Sequence, residues 1–422
     1  MLIPGWDLLK FLSSATFYIL LRPRPSMENV INTLLIQNFK SIRSAVLHPR
    51  RVNLIIGQPN VGKSTVLEAM SLLGALPFEQ KKKFMRSFVR YEKLAHLFHD
   101  SLLTNPIRIE TDNDLCLLGK KGNGQGKGYQ YGVFSQAAYR LLRVQLGLPL
   151  LEGRAKSRGG EDARLLSRMQ TQLPGLGPLP EPGYIYTELD NNGRMDRPDS
   201  GGRYLASAPA WTPRPVKAYR FKANAKLGER YADASLRPPH GNNLVQVLES
   251  HAGLRQEFAA LFAEHNQRLR VRPDARRFEV MKEVDGLSFA YPYAGSGDTL
   301  RRFGFNLAAI ESNQQSIVLM EEPEAHSFPT YITRMAEHIV ARENNQFFIT
   351  THSPHFFDAV LENMVPYESR MPELAVFVAY YKDFQTKIRQ LSDEEVRGMR
   401  RDSLEVFNNL HHLSEETLVR KV

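Results

Sequence analysis

Three short apolar runs punctuate the chain: Val52-Asn53-Leu54-Ile55-Ile56, Ile317-Val318-Leu319-Met320 and Gln346-Phe347-Phe348-Ile349-Thr350. Runs of this length, each closed by polar or glycine-containing sequence, read as strands. After the first, Val66, Met70 and Leu73 recur at i, i+4 and i+7, which predicts a helix with one buried face. Residues 216–221 and 374–381 read as further strands, the second as the last in the chain before a charged helical tail. Residues 278–284 and 287–293 flank Asp285-Gly286 and predict a β-hairpin, because Asp-Gly supplies a positive-φ turn. A Pro- and Asn-rich turn over 237–244 leads into a helix at 244–249, and 254–268 continues helically. Residues 131–148 have helical spacing, with Phe134, Ala138, Leu141 and Leu142 on one face. The stretches 119–128, 173–182 and 191–215 are rich in Gly or Pro and read as loops. There is no internal repeat and no heptad run long enough for a coiled coil.

The polar sequence at the ends of the three runs carries the chemistry. Residues 57–64 read Gly-Gln-Pro-Asn-Val-Gly-Lys-Ser, a complete G-x-x-x-x-G-K-[ST] phosphate loop between a strand and a helix. Backbone N–H groups wrap a phosphate only where side chains stand aside, and Gly57 and Gly62 provide that room. Gly57, Gln58, Pro59, Asn60, Val61, Gly62, Lys63, Ser64 and Thr65 are therefore the expected nucleotide-binding residues. Lys63 is expected to reach the β- and γ-phosphates and Ser64 to ligate Mg²⁺. The second run ends in Glu321-Glu322, where one carboxylate can hold the metal shell and the next can orient the attacking water. Glu321 is assigned to the metal and Glu322 to the general base. The third run delivers Thr351-His352-Ser353-Pro354, which positions His352 to sense the γ-phosphate.

With these motifs the chain resembles the ABC-type ATPases of the SMC, RecF and OLD group, with its nearest likeness to the OLD-like AAA ATPases of bacterial phage-defence systems of the PARIS type. The resemblance rests on Asn38-Phe39-Lys40-Ser41-Ile42, placed on the first strand, the 57–64 loop, Glu321-Glu322-Pro323-Glu324-Ala325-His326 and Thr351-His352-Ser353-Pro354, which together frame most of the chain. It implies an α/β P-loop NTPase fold of ABC type, a mixed sheet flanked by helices, with an inserted helical and basic lobe. It also implies ATP and Mg²⁺ as cofactors, and a Ser-Gly signature that completes the ATP site of a partner subunit in an ATP-dependent dimer or higher homo-oligomer. The best match to that signature is Ser296, Gly297 and Asp298, within Ala294-Gly295-Ser296-Gly297-Asp298-Thr299. Two departures stand out: Glu321 replaces the more usual aspartate, and no Q-loop glutamine is identifiable between residues 81 and 105, Gln80 coming too soon. OLD nucleases add a Toprim domain whose metal site needs Asp-x-Asp, and none occurs in the 70 residues after His352. The resemblance thus implies a sensor ATPase acting with a separate effector, a Toprim-type nuclease for example. The alternative is a RecF-like DNA-maintenance ATPase. Transporter ATPase subunits match less well, since Lys63 and Glu322 lie 259 residues apart and Pro323-Glu324-Ala325-His326 differs from their usual Pro-Thr-Ser-Ala.

Length and charge refine the picture. A chain of 422 residues exceeds one simple core, so the expected organisation is an extension over 1–26, core segments over 27–118 and 301–422, and an inserted lobe over 119–300. The single cysteine, Cys116, excludes a disulfide framework and fits a reducing cytoplasm. Residues 8–21 are largely apolar but shorter than the about 20 residues a bilayer needs, so no membrane partner is expected; an interfacial or partner-docking helix is the other reading. Between Gly119 and Lys222, 17 Lys and Arg face 8 Asp and Glu, which accounts for nine of the net ten positive charges. This basic stretch fits attraction to DNA or to an acidic phage protein, through Lys120, Lys121, Lys127 and Arg154, or equally a solvated surface with no partner. Lys81, Lys82, Lys83, Arg86 and Arg90 form a second basic cluster.

Overall fold

A computed structural model describes residues 30–79, 83–122, 126–150, 159–172, 183–195, 205–206, 214–272 and 274–399, with positions 407, 410 and 413. The expected extension over 1–26, with its apolar run, lies outside these residues. Strands β1 (Leu34–Phe39), β2 (Ile42–Leu47) and β3 (Val52–Gly57) lead into helix α1 (Lys63–Gly74). Next come β4 (Ile107–Thr111), β5 (Asp114–Lys120), β6 (Tyr129–Ser135), α2 (Gln136–Gln145), α3 (Gly159–Gln172), β7 (Tyr184–Leu189) and β8 (Leu205–Ala206). The chain continues through β9 (Val216–Tyr219), α4 (Leu244–Ser250), α5 (Ala252–Ala263), β10 (Arg268–Arg272), β11 (Arg277–Val284), β12 (Leu287–Pro292) and α6 (Asp298–Ser312). It ends with β13 (Ile317–Glu321), α7 (Pro329–Ala341), β14 (Gln346–Thr350), α8 (Pro354–Met364), β15 (Leu374–Lys382), β16 (Gln385–Gln390) and α9 (Asp393–Met399).

The six-stranded sheet has the order β16-β15-β3-β14-β13-β9, with every pair parallel except the edge pair β15–β16. Because β3, β14 and β13 are adjacent and parallel, their C-terminal ends bring the phosphate loop, His352 and Glu321-Glu322 to one edge. A second, antiparallel sheet runs β2-β1-β4-β5-β6-β7-β8, and a third, small one is β10-β11-β12. This is an α/β fold in which a largely parallel sheet, with the phosphate loop after β3, is flanked by helices.

Period-two alternation along the central strands sorts side chains into two cores. Val52, Leu54, Ile56, Val318, Met320, Phe347 and Ile349 face α4 to α8. Ile55, Ile317, Leu319 and Phe348 face α1, beyond which lies the antiparallel sheet with Ile36, Ile109 and Leu118. Helix α1 is thus enclosed between two sheets and is buried on nearly all sides, rather than on the single face its periodicity suggests. At its end Gly74 meets the backbone of Arg214 and Val216, an approach that a Cβ would block.

Several expectations need correction. Residues 131–148 are not one helix: β6 runs through Phe134, and α2 starts after Ser135, whose hydroxyl accepts from the Ala138 N–H. Phe134, Ala138 and Leu142 nonetheless share one small core under α3, so strand and helix bury the same side. Of the segment 38–42, Asn38 and Phe39 end β1 as expected, whereas Lys40 and Ser41 form the turn and Ile42 begins β2. Residues 374–382 are not the last strand, because β16 folds back on them. The expected boundary between 118 and 119 falls inside β5, and β9 of the expected inserted lobe is an edge strand of the central sheet. Backbone pairing of β5 with β4 and of β6 with β5 forbids a break there. The hairpin at 285–286 forms as expected, with Asp285 at φ 52° and Gly286 at φ 77°.

Candidate nucleotide site

The loop after β3 is shaped by three left-handed residues, Gly57 at φ 154°, Asn60 at 63° and Gly62 at 97°. A Cβ on Gly57 would strike the Ala379 carbonyl of β15, and one on Gly62 would strike the Thr386 hydroxyl of β16. Thr65 N–H donates to the Gly62 carbonyl as α1 begins, 3.1 Å. The loop is a backbone cradle at a helix N-terminus, the arrangement that binds phosphate. Lys63 is only 5% exposed, and its Nζ donates to the carbonyls of Gly57 at 2.9 Å and Gln58 at 2.8 Å. Burial pushes its pKa down to about 8, against the pull of Glu322.

His352 joins Lys63 to Glu322. Its Nδ1 lies 3.4 Å from Lys63 Nζ and its Nε2 3.1 Å from Glu322 Oε1. Burial and the Lys63 ammonium hold His352 below its ordinary pKa, against the carboxylate of Glu322. The neutral ring with its proton on Nε2 fits both partners, accepting from Lys63 and donating to Glu322. Glu322 itself has φ 45°, and its N–H donates to the Thr350 carbonyl at 3.0 Å.

Glu321 is gripped from three sides. Arg90 Nη2 lies at 2.7 Å, Arg220 Nη2 at 2.9 Å, and the Ser64 hydroxyl donates to it. Burial alone raises its pKa, but Ser64, Arg220 and Arg90 outweigh that and hold it below the ordinary carboxylate value. Ser64 and Glu321 thus form a hard oxygen pair beside the cradle, a donor set that fits Mg²⁺ completed by phosphate and water oxygens.

Further residues finish the site, Glu68, Arg90 and Thr386 outside the motifs and Lys40, Ser41 and Glu324 within them. Glu68, one turn beyond Ser64 on α1 and buried, pairs with Lys40 from the β1–β2 turn and with Arg90 Nε at 2.8 Å. Arg90 therefore ties α1 to the tip of β13. Glu324 is buried and accepts from Thr351 Oγ1 at 2.5 Å and from His352 N–H at 3.3 Å, which locks the β13 loop to the β14 loop. The Thr386 hydroxyl lies 2.8 Å from the Val61 carbonyl oxygen and 2.7 Å from Ser41 Oγ, so β16 props the phosphate loop. Motif spacing signals neither Glu68 nor Thr386: Glu68 looks like an ordinary helical carboxylate and Thr386 sits in a polar edge strand.

The signature candidate has local contacts. Ser296 is buried and donates its hydroxyl to the Tyr293 carbonyl at 2.7 Å, and Gly297 is the N-cap of α6. Asp298 pairs with Arg302 at 2.6 Å and Arg301 at 3.2 Å. The expected basic contacts are partly engaged already. Lys120 donates to Asn191 Oδ1 at 2.8 Å and lies over the Tyr129 ring, while Lys121 pairs with Glu188. Lys127 is exposed, and Arg154 lies outside the described residues, as do Gln80, Lys81 and Lys82.

Among the described residues no helix is long and apolar enough to cross a membrane. Residues 246–357 match the model of a family described as AAA ATPase domain, a span that holds α6, β13, both strand-tip glutamates and His352. The comparison with curated proteins gives no match. Among solved structures, an Smc head bound to the C-winged helix domain of ScpA is 13% identical, with 87% of this chain and 99% of that one covered and a TM-score of 0.45. The SMC head domain from Thermotoga maritima is 11% identical over 86% and 99%, with a TM-score of 0.35. An Smc head domain with an extended coiled coil, bound to the C-terminal domain of ScpA and derived from Pyrococcus furiosus, is 12% identical over 91% and 99%, with a TM-score of 0.41. Overlaps this loose assign no shared role. Over residues 246–357 the chain is similar to an AAA ATPase domain, and the loop on β3, the carboxylates on β13 and the histidine after β14 make it an ATPase of the P-loop class.

Proposed function

We propose that the chain binds and hydrolyses ATP with Mg²⁺, and that it serves as the sensor ATPase of a bacterial anti-phage system, cytoplasmic and oligomeric, working with a separate effector. The observation that carries the hydrolytic reading is the row Lys63–His352–Glu322 beside the pair Ser64–Glu321, at the ends of three adjacent parallel strands. The 57–64 amides and Lys63 would hold the phosphates and Ser64 and Glu321 would hold Mg²⁺, which would supply positive charge against the phosphate oxygens. Glu322 accepts a proton of the attacking water as the bond from water oxygen to γ-phosphorus forms and the bond to the bridging oxygen of ADP breaks. His352, donating from Nε2, keeps that carboxylate aimed.

The oligomeric part of the proposal uses Ser296, Gly297 and Asp298. Since the Ser296 hydroxyl is spent on Tyr293, the group offered to a partner's γ-phosphate is the N-terminal end of α6, whose free N–H groups carry partial positive charge. The defence part is supported by the Glu-Glu-Pro-Glu and Thr-His-Ser-Pro wording. In this reading the ATP-loaded assembly holds a Toprim-type effector inactive, and an acidic phage protein releases it.

The test is phage plating on cells carrying the native operon, beside Lys63→Ala and Glu322→Gln versions, with light scattering on each purified protein plus ATP. Lost protection in both and an ATP-dependent assembly of Glu322→Gln are expected. Full protection by both mutants contradicts ATP-driven release, and an ATP-bound monomer contradicts the shared site. DNA binding with no effect on plating would favour the DNA-maintenance alternative.

A further inference from the structure

Away from the phosphate loop, the chain encloses a second pocket of about 210 Å³ between the segment after β9, the start of α4, the base of the β11–β12 hairpin and α6. Its walls are aromatic: Phe221 and Phe305 meet edge to face with centroids 5.8 Å apart, and Phe278 and Tyr293 lie 5.4 Å apart. None of the nucleotide-site residues lines it; it meets the cleft at Glu321 and Glu322 only across Phe221.

Two polar groups in this apolar wall have no partner. Tyr293 is 7% exposed, and its hydroxyl is buried without a hydrogen bond. Arg301 spends its terminal nitrogens on the Ala223 carbonyl and Asp298, yet its buried Nε–H donates to nothing. Both atoms are enclosed by protein and do not open onto the pocket, so the charge of its lining is what a ligand meets. That charge is one-sided. Lys222, Arg276 and Arg277 also line the pocket, and no Asp or Glu does. Arg277 is directed to Glu279 at 2.9 Å, which leaves Lys222 and Arg276, both exposed on the rim, as the cations placed to meet an incoming ligand.

We propose that this pocket is a binding site for a small planar anion, one aromatic or heteroaromatic ring bearing a phosphate, sulfonate or carboxylate. The ring lies among Phe221, Phe278 and Phe305, and the anionic group faces Lys222 and Arg276 at the rim. The size agrees, since an apolar cavity of about 150 Å³ takes up benzene, and 210 Å³ adds room for one substituent. The electrostatics agree as well, because Lys222 and Arg276 stand at the rim and no carboxylate lines the pocket, so its field favours an anion.

The probe is 2-hydroxybenzoate, a fluorescent single-ring carboxylate, titrated into the full chain while its fluorescence is followed, with phenyl phosphate and neutral benzyl alcohol as competitors. One saturable site is expected, weakened at least about tenfold by Arg276→Glu and further by Lys222→Glu, and abolished by Ala294→Trp, which fills the pocket. Phenyl phosphate should displace the probe and benzyl alcohol should not. Arg276 lies on the surface, so its variant keeps the fold and isolates the charge. Unchanged probe binding in Arg276→Glu and Ala294→Trp, or no enhancement with the wild-type chain, overturns the site. Equal displacement by benzyl alcohol overturns the anionic class.

Discussion

His352 Nε2 lies 3.1 Å from Glu322 Oε1, and the opposite ring nitrogen lies 3.4 Å from Lys63 Nζ. One imidazole therefore spans the phosphate-binding lysine and the proposed base. Burial and Lys63 hold its pKa below the ordinary value, so the ring is neutral near pH 7 and aims Glu322 through its Nε2–H. Protonation places a second N–H against Lys63, where two cations repel. ATP turnover should accordingly be flat near neutrality and fall as pH drops through a value below the usual about 6.5. In His352→Ala, kcat should drop by about 10²-fold with KM changed little, and the acidic limb should disappear. A pH–rate profile of both proteins checks this, and an unchanged acidic limb in His352→Ala would assign that limb elsewhere.

Lys63 titrates unusually low, pushed down to about 8 by burial. Below that pH the free protein holds a charged ammonium ready for phosphate. As pH rises through it the proton leaves, while bound phosphates hold it on. ATP affinity should therefore weaken above pH 8, by up to about tenfold per unit, and binding should take up a proton. Calorimetry in buffers of different ionisation enthalpy measures that proton; its absence above pH 8 would remove Lys63 from phosphate binding.

The phosphate loop depends on a glycine in two ways. Gly62 sits at φ 97°, and a Cβ there would collide with Thr386. Gly62→Ala should cost about 1–3 kcal/mol from the strained backbone and abolish nucleotide binding. Thr386→Ala, which removes the prop under Val61 but leaves φ untouched, should weaken binding with a smaller loss of stability. Thermal melts with and without nucleotide separate the two effects, and a Gly62→Ala protein with normal stability would contradict the account of the loop.

The strand-tip chemistry was legible in the sequence because each piece is local: Gly57 to Ser64, Glu321-Glu322 and Thr351-His352 announce themselves within a few residues. What brings Arg90 and Arg220 to Glu321 is long-range, across 231 and 101 residues, and no periodicity encodes it. Strand β16 escaped notice because Gln385-Thr386-Lys387-Ile388-Arg389-Gln390 is polar, as an edge strand permits, although Thr386 is buried against the loop. Residues 131–148 misled because Phe134, Ala138 and Leu142 fill one core from a strand and a helix in turn, at spacings that imitate a single helix.

The most direct measurement is phosphate release by the wild-type chain and by Glu322→Gln, with bound ATP quantified in both. The wild type should hydrolyse ATP in the presence of Mg²⁺, and Glu322→Gln should bind ATP as well but release phosphate about 10²–10⁴-fold more slowly, because the cradle stays whole while the water loses its acceptor. Hydrolysis by Glu322→Gln at the wild-type rate would contradict the assignment of the reaction to the Lys63–His352–Glu322 row.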